Sequence, residues 1–267
     1  MQLYKQTGHL DHNGYPIYET VDPTPVPPTK RYKSVFSKFF VIQEGVISIS
    51  LRDITVSLGL TLTACLLWWL YATCTDGTFQ CNLHEFPMVS NVIGLKMYDR
   101  WFLFLSSVLM FGANIANVRA FYKKLYGVVS NGKNDTLMVL GIVSSFSLPM
   151  IGVFDMYNWG KIHDVIAVSF FGCFGFYCNI LANYLYENKN KYSAADQAPI
   201  ATMKKSARTL MIMLVLLGLS ALLHGPTPLF EWVLVIYYVN FFAIASYANA
   251  FYDSIHEEGT LVYPSAK

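Results

Sequence analysis

The sequence predicts an all-α, polytopic membrane protein: a six-transmembrane-helix bundle with both termini on the same side, the cytoplasmic (or matrix) side. Three observations predict it. Six apolar runs of spanning length follow one another between Ile54 and Tyr252. Only 13% of the 267 residues are charged and 54% are hydrophobic, whereas soluble domains carry about 25% charge, so the chain has too few charges for a fully water-facing surface. Basic residues alternate between rich and poor links along the chain, as orientation across a bilayer requires. The net charge of +2 argues against a nucleic-acid partner, since binders of nucleic acid are normally far more basic.

Each span follows from the same requirement. A crossing needs about 20 mostly apolar residues, and its backbone groups must be satisfied internally, so a long apolar run reads as a helix. The first run is Ile54 to Thr73 and the second Trp101 to Tyr122. The third, Thr136 to Tyr157, contains Pro149 as a kink site. The fourth is Val165 to Tyr186, the fifth Ala207 to Leu223, and the sixth Leu229 to Tyr252. Trp68, Trp69, Trp101, Trp159 and Trp232 lie near span ends, where aromatic belts sit.

Orientation comes from the links. Lys123, Lys124 and Lys133 follow span two, and Lys189, Lys191, Lys204 and Lys205 follow span four. The alternate links hold Lys96 and Arg100, then Lys161, then no basic residue. The richer links are expected on the cytoplasmic or matrix side. The N-terminal tail, with Lys30, Arg31, Lys33 and Lys38, shares that side. The sequon Asn134-Asp135-Thr136 then lies on the basic side and is read as unused.

Three regions result. Residues 1–53 form a polar, proline-containing N-terminal tail, 54–252 the six-helix domain, and 253–267 a short C-terminal tail. Pro23, Pro25, Pro27 and Pro28 suggest an extended polyproline stretch. The segment from Tyr32 to Ile49 mixes Phe36, Phe39 and Phe40 with lysines and suits the headgroup surface, or a plain linker. Tyr18-Glu19-Thr20-Val21 and Tyr32-Lys33-Ser34-Val35 have the shape of tyrosine-based sorting signals, a pattern short enough to match by chance. No cleavable targeting segment is expected, and the first span would serve as the membrane-entry signal. Cys74 and Cys81 bracket a short polar stretch and are a candidate disulfide, or two separate thiols.

Ionisable groups near spans are functional candidates by default. One end of the bundle collects Asp155, His163, Asp164, His224 and Glu231, with His84, Ser90, Asp99 and Arg100 in the first outer loop. If these ends converge, His163, His224 and Asp155 are candidates for a hydrolytic or zinc-binding pocket. The competing reading is that they cap helices at the water boundary, with His163 and Asp164 fixing the start of span four against Glu231 across the bundle. No H-E-x-x-H or G-x-S-x-G spacing occurs. No metal or catalytic residue is therefore assigned, and the only bound small molecule expected is phospholipid. Deeper in the spans, Asn114, Asn117, Asn179, Asn183, Asn240 and Asn249 can bond between helices or line a path. No Asp, Glu, Lys or Arg lies mid-span, which disfavours transport. Gly172 and Gly175 with Ala167, and Gly112 with Ala116, offer small residues for close packing.

Three segments in order carry a resemblance: Phe86-Pro87-Met88-Val89-Ser90-Asn91 with Gly94; His163-Asp164-Val165-Ile166-Ala167 with Phe170-Phe171; and Glu231-Trp232 with Phe241, Phe242 and Tyr247. Over about Leu51 to Tyr252 the chain resembles the Frag/DRAM/Sfk family of six-span proteins. That family includes damage-regulated autophagy modulators and Golgi proteins that assist lipid remodelling of GPI anchors. Asn91 stands where the family usually has aspartate, and the tail is longer than the family's. The resemblance implies a membrane regulator or a lipid-handling role in the endomembrane system (lysosome, Golgi or plasma membrane), and it supplies no catalytic residues. The leading expectation is a non-catalytic protein acting by protein and lipid contact. It would be a regulator or scaffold, or an accessory subunit of a larger assembly, with the mitochondrial inner membrane as the alternative location. The alternatives are a lipid-remodelling hydrolase with an outer-face His/Asp site and a small-molecule transporter.

Overall fold

In the computed structural model the described residues are 3–10, 16–21, 40–43, 46–49 and 51–246, apart from 83, 84 and 193. The N-terminal segment is a unit of its own. There β1 (Leu3–Leu10) pairs antiparallel with β2 (Pro16–Val21), Leu3 opposite Val21 and Gln6 opposite Tyr18. Strands β3 (Phe40–Gln43) and β4 (Val46–Ile49) make a second two-stranded sheet. The Tyr18–Val21 pattern thus falls in a strand, and β3 and β4 fall in the stretch read as a headgroup segment. The prolines 23–28, the Tyr32–Val35 pattern, His84, and everything from residue 247 on, including Asn249 and the 253–267 tail, lie outside the described residues.

The larger unit is all-helical. Its helices are α1 (Leu51–Thr75), a short α2 (Val89–Ile93), α3 (Lys96–Leu103) and α4 (Phe111–Leu125), with a π-helical segment, Phe104–Met110, joining the last two into one span. They are followed by α5 (Asn131–Val153), α6 (Met156–Glu187), α7 (Ala194–Leu222) and α8 (Thr227–Ser246). Five spans, 53–75, 96–123, 131–153, 156–187 and 197–222, are long and apolar enough to cross a membrane. Helix α8 is the sixth, a shorter apolar helix whose one charged residue is Glu231.

Several helices run past the apolar limits. Helix α6 begins at Met156 rather than Val165, because Asp155 caps it. Helix α7 begins at Ala194 rather than Ala207, because Ile200 and Met203 in its polar first half are fully buried. Helix α5 continues through Pro149, and the non-helical backbone among the spans is at Trp159 of α6 instead (φ −133°, ψ 32°).

Each span packs on its neighbour in sequence, and α1 closes the ring by packing on both α4 and α8. Aromatic side chains fill the interior. Phe121 of α4 stacks on Phe242 of α8 at 5.7 Å, and Phe174 of α6 meets Tyr238 of α8 edge-on at 5.0 Å. Two of the asparagines tie α1 into the ring. Asn117 donates to Thr55 Oγ1 at 2.8 Å and Asn240 donates to Thr63 Oγ1 at 2.7 Å. Asn183 donates instead to Asn179 at 3.4 Å along α6 itself, so this pair joins no two helices.

Close approach is made by glycines, though not by all those expected. A Cβ on Gly175 would lie 2.5 Å from the Tyr238 hydroxyl, and one on Gly59 would lie 2.9 Å from both Asn240 Oδ1 and the Val239 carbonyl oxygen. Gly172 and Gly112 have nothing within 4 Å of an added Cβ. Neither is a packing contact, because each faces away from its neighbours. The tryptophan belt is likewise smaller than expected. Trp68, Trp101 and Trp159 are exposed, but Trp69 and Trp232 are buried in the bundle. Trp69 stacks on Tyr98 at 5.5 Å.

The lysine-rich end is held by cation–π and carbonyl contacts. Lys204 and Lys189 lie 3.9 Å and 4.7 Å from the centre of the Tyr186 ring, and Lys191 donates to the Val128 carbonyl at 3.3 Å. Asn134 is buried here and donates its amide to the Tyr122 carbonyl at 2.9 Å, so the sequon nitrogen is occupied.

Candidate functional site

The candidate site lies at the opposite end, where α1 ends, α2 sits, and α6 and α8 begin. Helix α1 closes on its own threonines. The Thr73 hydroxyl donates to the Trp69 and Leu70 carbonyls, and the Thr75 hydroxyl to those of Tyr71 and Ala72. Asp76 then turns the chain by accepting the Thr78 N–H at 2.9 Å. Its hydrogen bonds from Thr78 hold its carboxyl below the ordinary carboxylate range. Gly77 (φ +78°) and Cys81 (φ +43°) complete the reversal. Cys74 and Cys81 form a disulfide with Cα atoms 5.6 Å apart, well within normal reach.

The loop then delivers Phe86, half-buried against the core, and Pro87 into α2. Asn91, in the third position of α2, accepts the Met88 N–H through its side chain at 3.1 Å. That is half of a capping box and satisfies an N–H that the helix itself cannot.

Two adjacent residues of α8 clamp this short helix. Glu231 Oε2 accepts the Val89 N–H at 3.2 Å, and the Trp232 indole N–H donates to the Pro87 carbonyl at 2.9 Å. Both side chains are buried, as is Ser90 beside them. A buried backbone polar group without a partner costs about 1–3 kcal/mol, so each clamp satisfies a loop group that would otherwise be stranded under α2. Tyr157 of α6 adds a third tie, donating to the Asn91 carbonyl at 3.2 Å. Its ring lies under Gly94, where an added Cβ would come within 3.2 Å.

The start of α6 is fixed by Asp155. Its Oδ1 accepts the Tyr157 and Asn158 N–H groups at 2.9 and 2.8 Å, and the Asn158 amide donates to both its oxygens. Burial pushes this carboxyl up, but the bonds from Asn158 and Tyr157 outweigh it and hold it below its ordinary value. Two turns later His163, only 2% exposed, bonds through Nδ1 to the Phe154 carbonyl at 2.8 Å. A carbonyl only accepts, so Nδ1 carries the proton and Nε2 is the nitrogen left for chemistry.

His163, Ser90 and Glu231 line one cavity of about 30 Å³, walled otherwise by apolar residues such as Ile93, Phe102 and Phe170. Three helices, α2, α6 and α8, thus each contribute one polar side chain to a single enclosed space. His163 and Glu231 are not directly bonded. Asp99 of α3 is half-buried and close enough to His163 and Asp155 to feel both charges.

The other sequence candidates lie elsewhere. His224 is exposed in the turn after α7, with φ +52°, and takes no part in this cavity. Asp164 is exposed on α6. Among the described residues, no three of His, Cys, Asp and Glu come together as a metal-binding group. Sequence reading did not single out Tyr157 or Asn158, nor the Phe154 carbonyl. An Asp-x-x-Asn pattern just before an apolar run is a legible capping signal for Asn158. Nothing in the sequence marks Tyr157.

Neither the curated proteins nor the solved structures contain a match to this chain. A family model does match: the Frag1/DRAM/Sfk1/Cwh43P N-terminal domain, over residues 51–251. That span takes in all six helices, the clamped α2 loop and the three polar residues of the cavity, and the chain belongs to this family of multi-pass membrane proteins.

Proposed function

We propose that this protein is non-catalytic and acts by contact with proteins and lipids, presenting the Phe86–Gly94 loop as a preformed surface at the membrane boundary. The observation that carries the reading is where the polar side chains of this end are used. Asp155, His163, Glu231 and Trp232 each bond to backbone groups that shape the loop and the start of α6. A hydrolase needs its acid and base free toward a substrate within hydrogen-bond reach. The cavity that His163 and Glu231 line has about 30 Å³, room for water and not for a lipid ester.

The role is that of a regulator or scaffold of the endomembrane system, in keeping with the family, with bound phospholipid around the spans. An accessory subunit of a larger assembly, mitochondrial included, is the same reading with a permanent partner. The lysine-rich end would face the cytoplasm or matrix, and the disulfide-bearing end the oxidising side. Transport is disfavoured because Asn179 and Asn183 bond to each other along α6.

The test is native mass and co-purifying protein after extraction in mild detergent, together with His163→Ala and His224→Ala in cells. A stoichiometric partner, lost when the loop is altered, is expected. Loss of cellular function in a folded His224→Ala variant would sink the reading, because that residue does no structural work in the loop.

A further inference from the structure

We propose that Ser90, His163 and Glu231 bind one internal water, and that this hydrated node is a proton-operated latch that releases α2 when its end of the bundle is acidified. The inference goes beyond the contact role and does not depend on which partner, if any, the loop meets.

The space and its walls fit a water. The cavity volume of about 30 Å³ exceeds the roughly 10–15 Å³ that one water requires, and a buried water needs two to four polar partners. Three are present, each more than nine-tenths buried: Ser90 at 8%, His163 at 2% and Glu231 at 8% exposure. The Ser90 side chain lines the cavity. Nδ1 of His163 is taken by the Phe154 carbonyl, which leaves Nε2. The Glu231 carboxylate accepts from the backbone N–H groups of Val89 and Ser90 and, with about four lone-pair sites, keeps acceptor capacity for a water.

Charge then couples this node to α2. The Glu231 carboxylate accepts the Val89 N–H as a charged group, and a proton placed on it weakens that bond, since bonds to charged groups are the stronger kind. Protonation of Glu231 therefore favours lifting α2 and admitting water.

Helix α2 has no titratable group and α5 has none at this end. His163 of α6 shares the cavity with Glu231, and Asp99 of α3 interacts electrostatically with His163 and Asp155. Lys96 and Arg100 of α3, Lys161 and Asp164 of α6, and Asp76 after α1 are exposed to solvent, so Glu231 is the carboxyl bonded to α2.

Hydrogen exchange of the full chain in lipid nanodiscs tests the latch, followed by mass spectrometry from about pH 7.5 to about pH 5 and corrected for intrinsic exchange. Protection across residues 88–94 should fall at least about tenfold on acidification, as loss of a charged hydrogen bond implies, while the α6 core stays protected. In Glu231→Gln the amide oxygen still accepts from Val89 but cannot titrate, so the pH response should vanish. If that variant does not fold, Val89→Pro, at the first position of α2 where proline is tolerated, removes the N–H that Glu231 accepts and should flatten the response. Protection that is independent of pH in the wild type, or the same pH profile in either variant, overturns the latch. A density map of the full chain should show a water among the three groups, and a gap without density overturns the hydrated node. A chain that captures no partner yet releases α2 in acid would defeat the contact role and leave this inference standing.

Discussion

The indole of Trp232 donates to the carbonyl of Pro87, 145 positions earlier, at 2.9 Å inside the bundle. With the neighbouring Glu231–Val89 bond it makes the first turn of α8 the floor on which the Phe86–Gly94 loop is seated. Trp232→Phe keeps most of the apolar bulk and removes the N–H. The buried Pro87 carbonyl is then unpaired, at a cost of about 1–3 kcal/mol. Thermal unfolding in detergent should show a lower midpoint, and cleavage by added protease should rise in the loop around residues 82–88.

The disulfide closes a loop of seven-residue separation. Replacing Cys74 and Cys81 by serine should destabilise this end by about 2 kcal/mol on the loop-entropy account. Alkylation with and without reductant reads the bond directly. Two alkylated sites that appear only after reduction are expected, and labelling without reductant at both would contradict the pairing.

At Gly59, a methyl group would meet Asn240 Oδ1 and the Val239 carbonyl, each at 2.9 Å. One of these is backbone and cannot rotate away, so Gly59→Ala must push α1 from α8. Overpacking of this kind costs about 1–3 kcal/mol. Gly172→Ala, with nothing nearby, should be neutral or slightly stabilising. Equal effects at the two positions would contradict the packing described.

Asp155 supplies a pH dependence with a definite sign. Its folded value lies below the ordinary 3.8, so the cap contributes stability that is fully present above the unfolded value. That contribution is lost as pH falls through the depressed folded value. Asp155→Ala should lower stability by about 1 kcal/mol at neutral pH and remove this acid-side loss. Asp155→Asn can still accept the two N–H groups and should cost less. Unfolding midpoints of the three proteins from neutral pH down to about pH 3 measure the difference.

Much of this was legible in the sequence because a bilayer leaves few choices. Runs such as Ile54–Thr73 and Val165–Tyr186 had to be helices, and they are. Their ends were less legible. Helix α6 gains its first turns from the Asp155 cap, and α7 from the buried Ile200 and Met203, neither of which hydropathy counts. His163 and Glu231 could be named as candidates from their cost at a span end. That His224 stands apart from them, exposed in its turn, depended on how α7 meets α8. Asn91 shows the same limit from the other side. It departs from the family's usual aspartate, yet its side-chain oxygen still accepts the Met88 N–H as a carboxylate would.

By itself, then, the sequence determined the number of crossings, the helical character of each and the family, because apolar length and backbone satisfaction are local requirements. Only the tertiary structure decided which polar groups meet. Val89 finds Glu231 142 positions away and Asn240 finds Thr63 177 positions away. Such pairs form because closing the ring of helices buries groups that cannot stay unbonded, and no local pattern records which partner lies across the ring.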